Sequence, residues 1–385
     1  MRAVLILSTS YKPNLGGIET HLESLLNFLG KFGYYSYLLT FKQATYAKIF
    51  NVKKLPSKPF EKHKKHEIRR YNFVDFGFNS ITKSNFVRDI FSFLNILLYS
   101  FLFLVKYNNK ISIIHAQDPP TAAAAFLLSK IFRKKWVVTL HNIYKLSNHG
   151  IRGLIGRYVL ENCPCIFAIS KPIIQTLKRD LGKSLPRIIL SKYWVDTELF
   201  KPQSKLLSRR EIRLPEKGLI AIFVGRITEG KGILELIEAS KIENDFKFVL
   251  VGSGDLDNYV INNQNNNLIF LGPKFGKELV DCFNAADVSI FPTTYSYEGF
   301  GRVIMESLAS GTPVIISNKM PKEAINDEVG RVIEVTPKNI IKSIDSLRRS
   351  NLSKALRNKC RKFALKNYSE LNGLKIINIY KSLVD

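Results

Sequence analysis

Short apolar runs that alternate with helical segments are the feature that most limits what this chain can fold into. The first run, "RAVLILS" at 2–8, is β-branched in part and is ended by polar turn residues. A helical stretch from about Ile18 to Lys31 and a second run, "YSYLLTF", follow. Runs of this kind are typical of parallel strands buried on both faces, and strands separated by helices predict a doubly wound parallel sheet.

The pattern occurs twice along the 385 residues. In the first half, "KISIIHAQDPPTAAAAFLLSKIFRKKWVVTLHN" gives strand, loop, helix and strand, and "CIFAIS" adds a strand. After "VDTELFKP" (195–202) it restarts with "LIAIFVGRI", "FKFVLVGSG", "LIFLG", "VSIFPT" and "TPVIIS". Since ligands bind such sheets at the carboxyl ends of strands, we expect two similar α/β halves, a hinge near 200–215 and a cleft between the halves.

The charge balance narrows the class of partner. Lys and Arg number 58 against 32 Asp and Glu, a net charge of +26, which indicates nucleic acid, an anionic membrane or phosphorylated small molecules. The four cysteines have neither redox nor zinc spacing, so we expect reduced thiols. Residues 1–7 run straight into a strand without a signal-peptide layout, so we expect a cytoplasmic protein.

Two glycine-rich stretches follow strands. In "PNLGGIETH", Gly16 and Gly17 let the backbone approach a ligand at a helix start, although a tight structural turn explains this stretch equally well. In "FVGRITEGKGILELIEA", Arg226 follows Gly225 at a strand end, and Lys231 lies just ahead of a helix. Two cations on an open loop predict a diphosphate cradle rather than a solvated surface pair.

The segment "YEGFGRVIMESLASGTPVI" carries two carboxylates, Glu298 and Glu306. Glu298 lies in a glycine loop after a strand, whereas Glu306 lies on the following helix among apolar residues. A carboxylate there needs hydroxyl or amide partners to offset its desolvation, and a ribose diol supplies them. Eight helical residues advance about 12 Å, which exceeds the roughly 5–9.5 Å between the paired carboxylates of a glycoside hydrolase.

These motifs together resemble the retaining glycosyltransferases of family 4, which have the GT-B fold of two facing Rossmann-like domains. The resemblance rests on the Glu-x7-Glu segment, the "GR…KG" segment, the glycine pair after the first strand and "VDTELFKP", which occur in the family's order over nearly the whole chain. It implies an N-terminal acceptor-side domain at 1–200, with a helix at about 368–385 packing back on it. A C-terminal nucleotide-sugar domain is implied at 205–365.

The resemblance also implies roles for individual residues. Arg226 and Lys231 would hold the donor's diphosphate, Glu306 the ribose, and Glu298 the transferred sugar. The other donor-binding positions implied are Gly16, Gly17, Gly225, Gly252 of "VGSG", Phe300 and Gly301.

The chain departs from the family at two places. Where many members carry His-x-His, this chain has His115 followed by Gln117, so His115 is a candidate catalytic residue and His141 in "TLHN" a further candidate for the cleft. A histidine at a strand end is more often structural. The usual Asn-Gly before the hinge is Tyr193-Trp194 here.

The implied reaction moves a sugar from a nucleotide-diphosphate-sugar to a hydroxyl of a glycan or lipid-linked acceptor. The departing phosphate helps to deprotonate that hydroxyl, and no cofactor is expected. We expect no metal, because Asp255-Leu-Asp257 lies at a helix start where acidic residues cap. The alternatives are a nucleotide-sugar epimerase of the same fold and a nucleic-acid-binding protein, and no nucleic-acid module is visible.

Two segments bear on membranes. Ile90–Val105 is an uncharged apolar run of 16 residues, short of the roughly 20 of a spanning helix, and we predict a helix that covers a sheet, with a partly membrane-dipping helix as the alternative. Between Phe41 and Arg70 lie ten Lys or Arg, which predicts peripheral docking on an anionic membrane. A solvated basic loop is the competing interpretation.

Overall fold

The computed structural model describes residues 3–14, 16–42, 57–74, 85–144, 146, 150–182, 184–242, 245–295, 300–349 and 354–384. The chain divides into two compact units. The N-terminal unit comprises Met1–Tyr193 together with Leu371–Asp385, and the C-terminal unit comprises Trp194–Glu370. The break at 193/194 lies a few residues before the predicted boundary, and the segment from 371 belongs to the N-terminal unit.

The N-terminal unit is built on an eight-stranded sheet in the order β3-β4-β2-β1-β5-β6-β7-β8. Neighbouring strands are parallel, except that β3 pairs antiparallel with β4 at the edge. The strands are β1 (Ala3–Leu7), β2 (Tyr35–Phe41), β3 (Phe60–Lys62), β4 (His66–Tyr71), β5 (Ile111–Ala116), β6 (Lys135–Leu140), β7 (Cys165–Ala168) and β8 (Arg187–Leu190). The central strands are almost wholly buried, as their apolar runs predict.

Helices connect these strands. They are α1 (Gly17–Lys31), α2 (Asn85–Tyr107), α3 (Pro119–Ile131), α4 (Gly150–Glu161), α5 (Lys171–Leu181) and, from the C-terminal segment, α13 (Leu374–Val384). Asp118 caps α3 by accepting from the Thr121 amide at 3.0 Å, and two prolines follow it at the first helical positions. Three helices, α2, α3 and α4, pack side by side against one another.

The C-terminal unit has a six-stranded parallel sheet in the order β11-β10-β9-β12-β13-β14. Its strands are β9 (Leu219–Val224), β10 (Phe246–Val251), β11 (Leu268–Gly272), β12 (Val288–Phe291), β13 (Val314–Ser317) and β14 (Gly330–Ile333). The chain builds one side of the sheet outward from β9 and then returns to place β12 on the other side. The strand order therefore reverses between β9 and β12, which is where open α/β sheets bind ligands.

The helices of this unit are α6 (Lys205–Glu211), α7 (Ile233–Ile242), α8 (Asp257–Asn262), α9 (Gly276–Ala285), α10 (Arg302–Ala309), α11 (Pro337–Arg349) and α12 (Lys354–Tyr368). A core of Ile, Leu, Val and Phe from β9, β10 and β12 packs against α7 and α11. The loops between strands and helices then lie at the carboxyl edge of the sheet.

The apolar runs predicted to be strands all coincide with strands, but four strands have no counterpart among the predictions. These are β3, β4, β8 and β14. Two of them lie in the basic stretch before Arg70, where β4 pairs with β2 inside the sheet. Residues 60–71 are therefore a strand pair and not a loop, while the part of that stretch at 43–56 lies outside the described residues.

Candidate functional site

The loop after β9 presents two cations at the point where the strand order reverses. Arg226 is the second residue after the strand and is exposed, and Lys231, just before α7, is partly exposed. The loop is tied down on both sides, since the Gly225 amide donates to the Val251 carbonyl at 3.0 Å and the Thr294 amide donates to the Gly230 carbonyl at 2.9 Å. The strand ends of β9, β10 and β12 are thus held together around these cations.

A close backbone contact between the β9 and β10 loops requires glycine. Gly252 has a φ of 143°, and a Cβ added there would lie 1.7 Å from the Gly225 carbonyl oxygen. Any side chain at 252 would force the two loops apart. Gly225 and Gly252 are both matched to the family. Because they lack side chains, the two loops can contact each other, and the space in front of the sheet stays open.

The loop after β12 leads into α10 through Phe300 and Gly301. Phe300 is buried against Tyr368, with ring centroids 5.6 Å apart, so its ring is packed inside the unit. Gly301, with a φ of 76°, is the residue before the first turn of α10, and a Cβ there would lie 2.6 Å from the Met320 methyl group. Glu298, predicted to bind the transferred sugar, lies outside the described residues.

Glu306 is a buried carboxylate on α10 with little local compensation. It is 6% exposed, and Arg302 lies one turn before it with its Nε 3.9 Å from Glu306 Oε1. Burial raises the pKa of the Glu306 carboxyl, and the Arg302 charge lowers it in part. No hydrogen bond to this carboxylate is present among the described residues. The side chain is therefore suited to accept hydrogen bonds from a polar ligand.

Arg302 is a charged residue of this region to which the sequence analysis gave no role. It occupies the first helical position of α10 directly after Gly301, and its side chain is almost wholly buried. The available signal was its i, i+4 spacing to Glu306, which places the two on one helix face.

In the N-terminal unit, the loop after β1 is fixed by a polar network. Asp118 Oδ2 accepts from both the amide and the hydroxyl of Thr9 at 2.9 Å, and Ser10 Oγ donates to Glu19 Oε1 at 2.5 Å. Gly16 precedes α1 and Gly17 is its first residue, so the backbone N–H groups at the start of α1 lie beside this network. A Cβ at Gly16 would lie 2.6 Å from Glu19 Oε2, the end of a flexible side chain, so this contact does not by itself require glycine.

His115 has a structural environment. It is fully buried on β5, with Nδ1 2.5 Å from the Tyr380 hydroxyl of α13 and Nε2 2.7 Å from the Thr139 hydroxyl of β6. Burial lowers the pKa of His115 to about 3, so the imidazole is neutral at ordinary pH. Both ring nitrogens are engaged within the N-terminal unit. Its surroundings favour a packing role over the catalytic role predicted for it.

His141 follows β6 in a second buried cluster. Its Nδ1 lies 2.5 Å from the Tyr193 hydroxyl, and its Nε2 lies 3.0 Å from Gln117 Oε1. The His21 ring stacks on Tyr193 with centroids 4.6 Å apart. Burial lowers the pKa of His141 to about 3 as well. Gln117, which stands where the family carries its second histidine, thus orients His141.

The remaining acidic motif caps a backbone turn. Asp257 Oδ1 accepts from the Gly254 amide at 2.8 Å at the start of α8. Within the residues that the structure describes, no group of three or more His, Cys, Asp or Glu side chains could hold a metal ion.

The geometry groups the predicted residues by unit. The C-terminal unit brings Arg226, Lys231, Gly252, the Phe300–Gly301 backbone and Glu306 to the carboxyl edge of one sheet. The N-terminal unit brings Gly16 and Gly17 to the corresponding edge of the other, while His115 and His141 lie beneath that edge in hydrogen-bonded clusters.

Two Rossmann-like units with their glycine loops at the strand-order reversals define the GT-B class of fold. Solved structures of that class resemble the whole chain. Sucrose-phosphate synthase from Thermosynechococcus elongatus has a TM-score of 0.82 at 19% identity, over 100% of this chain and 99% of that one. Anabaena HepE in complex with UDP-glucose has a TM-score of 0.72 at 16% identity, over 100% of both chains.

The particular family follows from sequence. Residues 15–199 match the model described as Glycosyltransferase Family 4, and residues 204–367 match the model described as Glycosyl transferases group 1. An uncharacterized glycosyltransferase of Methanocaldococcus jannaschii is 29% identical over 252 residues, which is 60% of this chain and 64% of that relative. The match therefore spans less than two thirds of the relative's length. The chain belongs to the family 4, group 1 glycosyltransferases, a family of transferases with the GT-B fold.

Proposed function

We propose that this protein is a retaining glycosyltransferase that moves a sugar from a nucleotide-diphosphate-sugar to a hydroxyl of a glycan or lipid-linked acceptor. The observation that carries the proposal is the Glu306 carboxylate, buried and without a hydrogen bond among the described residues, on the helix behind the strand-order reversal. A ribose diol would donate two hydrogen bonds to it. The cations of the β9 loop would bind the attached diphosphate.

The donor class has further support. HepE, which shares the fold, is bound to UDP-glucose in its solved structure. In this chain, Arg226 and Lys231 at one strand end supply positive charge for a diphosphate that gains charge as its bond to the sugar breaks. Both cations interact with that charge before and during bond cleavage, so they serve binding and rate together.

The proposed chemistry takes place on one face of the sugar. The bond from the anomeric carbon to the diphosphate oxygen breaks, and a bond to the acceptor oxygen forms on the same face. The acceptor's proton passes to the departing phosphate, so the products are the glycoside and a protonated nucleoside diphosphate. Glu298 and the Phe300–Gly301 backbone would hold the sugar's hydroxyls during this exchange.

A binding panel tests the proposal. UDP-, GDP- and ADP-sugars are titrated into the parent protein and into Arg226→Ala, and slow hydrolysis of the donor is followed by chromatography. We expect one nucleotide series to bind the parent and to bind Arg226→Ala at least about tenfold more weakly. Lys241→Ala is the matched control, since Lys241 is an exposed cation of the same unit that pairs with Glu238 on the surface of α7.

Each outcome of the panel is decisive. If none of the nucleotide-sugars binds, or if Arg226→Ala binds as tightly as Lys241→Ala, the proposed donor site is wrong. If the bound sugar changes configuration without an acceptor present, the protein is an epimerase of the same fold and not a transferase.

A further inference from the structure

Three adjacent helices of the N-terminal unit, α2, α3 and α4, carry large apolar side chains on their outer sides. We call this surface the α2–α4 face. Its exposed apolar members are Ile90, Leu94, Leu98, Phe101, Leu102 and Val105 of α2, Leu127 and Ile131 of α3, and Ile151, Leu154, Ile155 and Tyr158 of α4. Scattered exposed apolar residues are normal, but a continuous group of this size marks an interaction surface.

The apolar positions on α2 follow the helical repeat. The exposed positions 90, 94, 98, 101, 102 and 105 lie on one side, whereas Ile96, Phe103 and Leu104 are buried. The helix thus covers the sheet, as predicted, but is apolar on its outer side too; Leu102 is 57% exposed. By length and composition alone, the helical stretch Val87–Lys110 could cross a membrane, and 33% of its most apolar part is buried inside the protein. Its contacts with the sheet fix it in the unit.

The short helix α4 repeats the arrangement. Its exposed apolar residues lie at spacings of three and four, so they form one stripe, and Ile151 and Leu154 are 72% and 67% exposed. The opposite side of α4, with Val159 and Leu160, is buried. An amphipathic helix normally turns its apolar side inward, and here both sides are apolar.

Side-chain contacts join the three helices into one surface. Arg152 of α4 forms an ion pair with Asp89 of α2. The Phe101 ring of α2 lies 5.4 Å from Phe132 at the end of α3, and the Phe126 ring of α3 lies 5.8 Å from Tyr158 of α4. The two apolar stripes are therefore held in a fixed relation.

The charge carried by the segments of this face is mainly positive. Within 85–110, 119–135 and 150–161, the basic residues are Arg88, Lys106, Lys110, Lys130, Arg133, Lys134, Lys135, Arg152 and Arg157. The acidic residues are Asp89 and Glu161, and each is paired with an arginine, Arg152 and Arg157 respectively. The segments that carry the apolar stripes therefore also carry an excess of positive charge, and this combination is complementary to anionic headgroups over acyl chains.

We propose that the α2–α4 face inserts its apolar side chains into an anionic lipid surface. The apolar stripes lie at the depth of the upper acyl chains, and lysines and arginines of the same segments contact phosphate groups. The inference rests on this face alone and needs no nucleotide site. If the proposed glycosyl transfer is correct, it makes a lipid-linked acceptor the expected class.

The charge pattern also argues against a second copy as the occupant. In a two-fold contact the same patch meets itself, so the positively charged segments of one copy would face those of the other. Like charges placed across an interface disfavour that contact, and the chain's net charge of +26 adds to the repulsion.

Vesicle flotation tests the inference with the full chain. The vesicles are phosphatidylcholine alone or phosphatidylcholine with about 30 mol% phosphatidylglycerol, at about 0.15 M salt. We expect binding to the anionic vesicles, and Leu98→Glu/Leu102→Glu should lower the partition coefficient at least about tenfold. The control Leu207→Glu/Ile261→Glu makes the same change at exposed apolar sites of the C-terminal unit and should bind like the parent.

A fluorescent reporter separates insertion from adsorption. Leu154→Trp should show a blue-shifted emission on anionic vesicles and quenching by brominated acyl chains, and Leu207→Trp should show neither. The exposed lysines of the strand pair, Lys62 and Lys64, give a competing route. If Lys62→Ala/Lys64→Ala/Lys65→Ala abolishes binding while Leu98→Glu/Leu102→Glu does not, docking occurs through the strand pair and the inference is wrong.

Other results would also overturn it. They are failure of the parent to bind anionic vesicles, equal binding by Leu98→Glu/Leu102→Glu, or a dimer in light scattering that this variant abolishes while vesicles bind nothing. Thermal melting and titration with nucleoside diphosphates verify that the variant is folded. A vesicle result of either kind leaves the nucleotide titration unaffected, so the two proposals fail separately.

Discussion

Replacing Glu306 by glutamine is the sharpest test of the ribose contact. The carboxylate is buried on α10, has no hydrogen bond among the described residues, and has Arg302 as its nearest charge. Its desolvation was incurred on folding, so hydrogen bonds from a ligand hydroxyl add directly to affinity. Glu306→Gln keeps the shape of the side chain and removes the charge and one acceptor.

The magnitude follows from the type of bond. Hydrogen bonds to a charged group contribute about 1.5–3 kcal/mol. If the variant loses the equivalent of one such bond, affinity for the nucleoside diphosphate falls roughly 10- to 150-fold. Glu306→Ala should lose at least as much, because it removes both acceptor oxygens together with the charge.

The assay is isothermal titration calorimetry in a double cycle. Parent and Glu306→Gln are each titrated with the ribonucleoside diphosphate and with its 2′,3′-dideoxy analogue. We expect the parent to lose affinity for the analogue and the variant to lose little more, because each change removes the same contact. Glu238→Gln, an exposed carboxylate of the same unit, is the control and should behave like the parent.

Strictly additive losses in this cycle would refute the ribose contact, since independent effects mean that Glu306 and the diol do not touch.

A second readout comes from the pH dependence of stability. Burial holds the pKa of Glu306 in the folded protein above its ordinary value of 4.5, so between the two values the folded protein binds more protons than the unfolded one. Its contribution to ligand-free stability therefore falls as pH rises through that interval, and Glu306→Gln should remove this slope.

Three further predictions concern the site and the core. Arg226→Ala and Lys231→Ala should each weaken diphosphate binding and slow transfer, whereas Glu298→Ala should slow transfer and keep near-parental diphosphate affinity. If all three variants bind the nucleoside diphosphate as tightly as the parent, the site is misplaced. Transfer should persist in EDTA and keep the donor's α configuration by NMR; activity restored only by Mn²⁺ or Mg²⁺ would contradict this. Burial lowers the pKa values of His115 and His141 to about 3, so below pH 6.5 the unfolded chain gains protons at these residues that the folded protein does not. Each histidine should therefore lower the free energy of unfolding by about 2 kcal/mol at pH 5. A thermal-denaturation profile that is flat between pH 7 and 5 would contradict this prediction.

The sequence predicted the strands that lie in conspicuous apolar runs, and it missed the charged strands β3 and β4 and the four-residue strands β8 and β14. Runs such as "YSYLLTF" coincide with strands because both faces of those strands are buried. The strand β4, "HEIRRY", was missed because its side chains are largely charged. Its Arg70 is buried only because it donates to the Lys12 and Lys58 carbonyls and pairs with Glu61 at 2.6 Å. Partners so distant in sequence leave no local signal.

The site shows the same division. Spacing alone placed Arg226 and Lys231 in the loop at a strand end and Glu306 on the helix after a later such loop, since a loop after a parallel strand must emerge at that edge. Spacing could not show that His115 faces Tyr380, because those residues are 265 positions apart and the hydroxyl comes from a different segment. Nor could spacing show that the outer sides of α2 and α4 are exposed, because an apolar helix has the same sequence pattern whether or not other residues cover it.

The hydrogen bond between His115 and Tyr380 also has a consequence for synthesis on the ribosome. The N-terminal unit is discontinuous: its sheet is complete once residue 190 has emerged, but α13 follows only after the whole C-terminal unit. Until then His115 lacks its Tyr380 partner, and the part of the sheet that α13 covers is bare. The C-terminal unit, contiguous from 194 to 370, can therefore finish folding before the N-terminal unit does, although it is translated later.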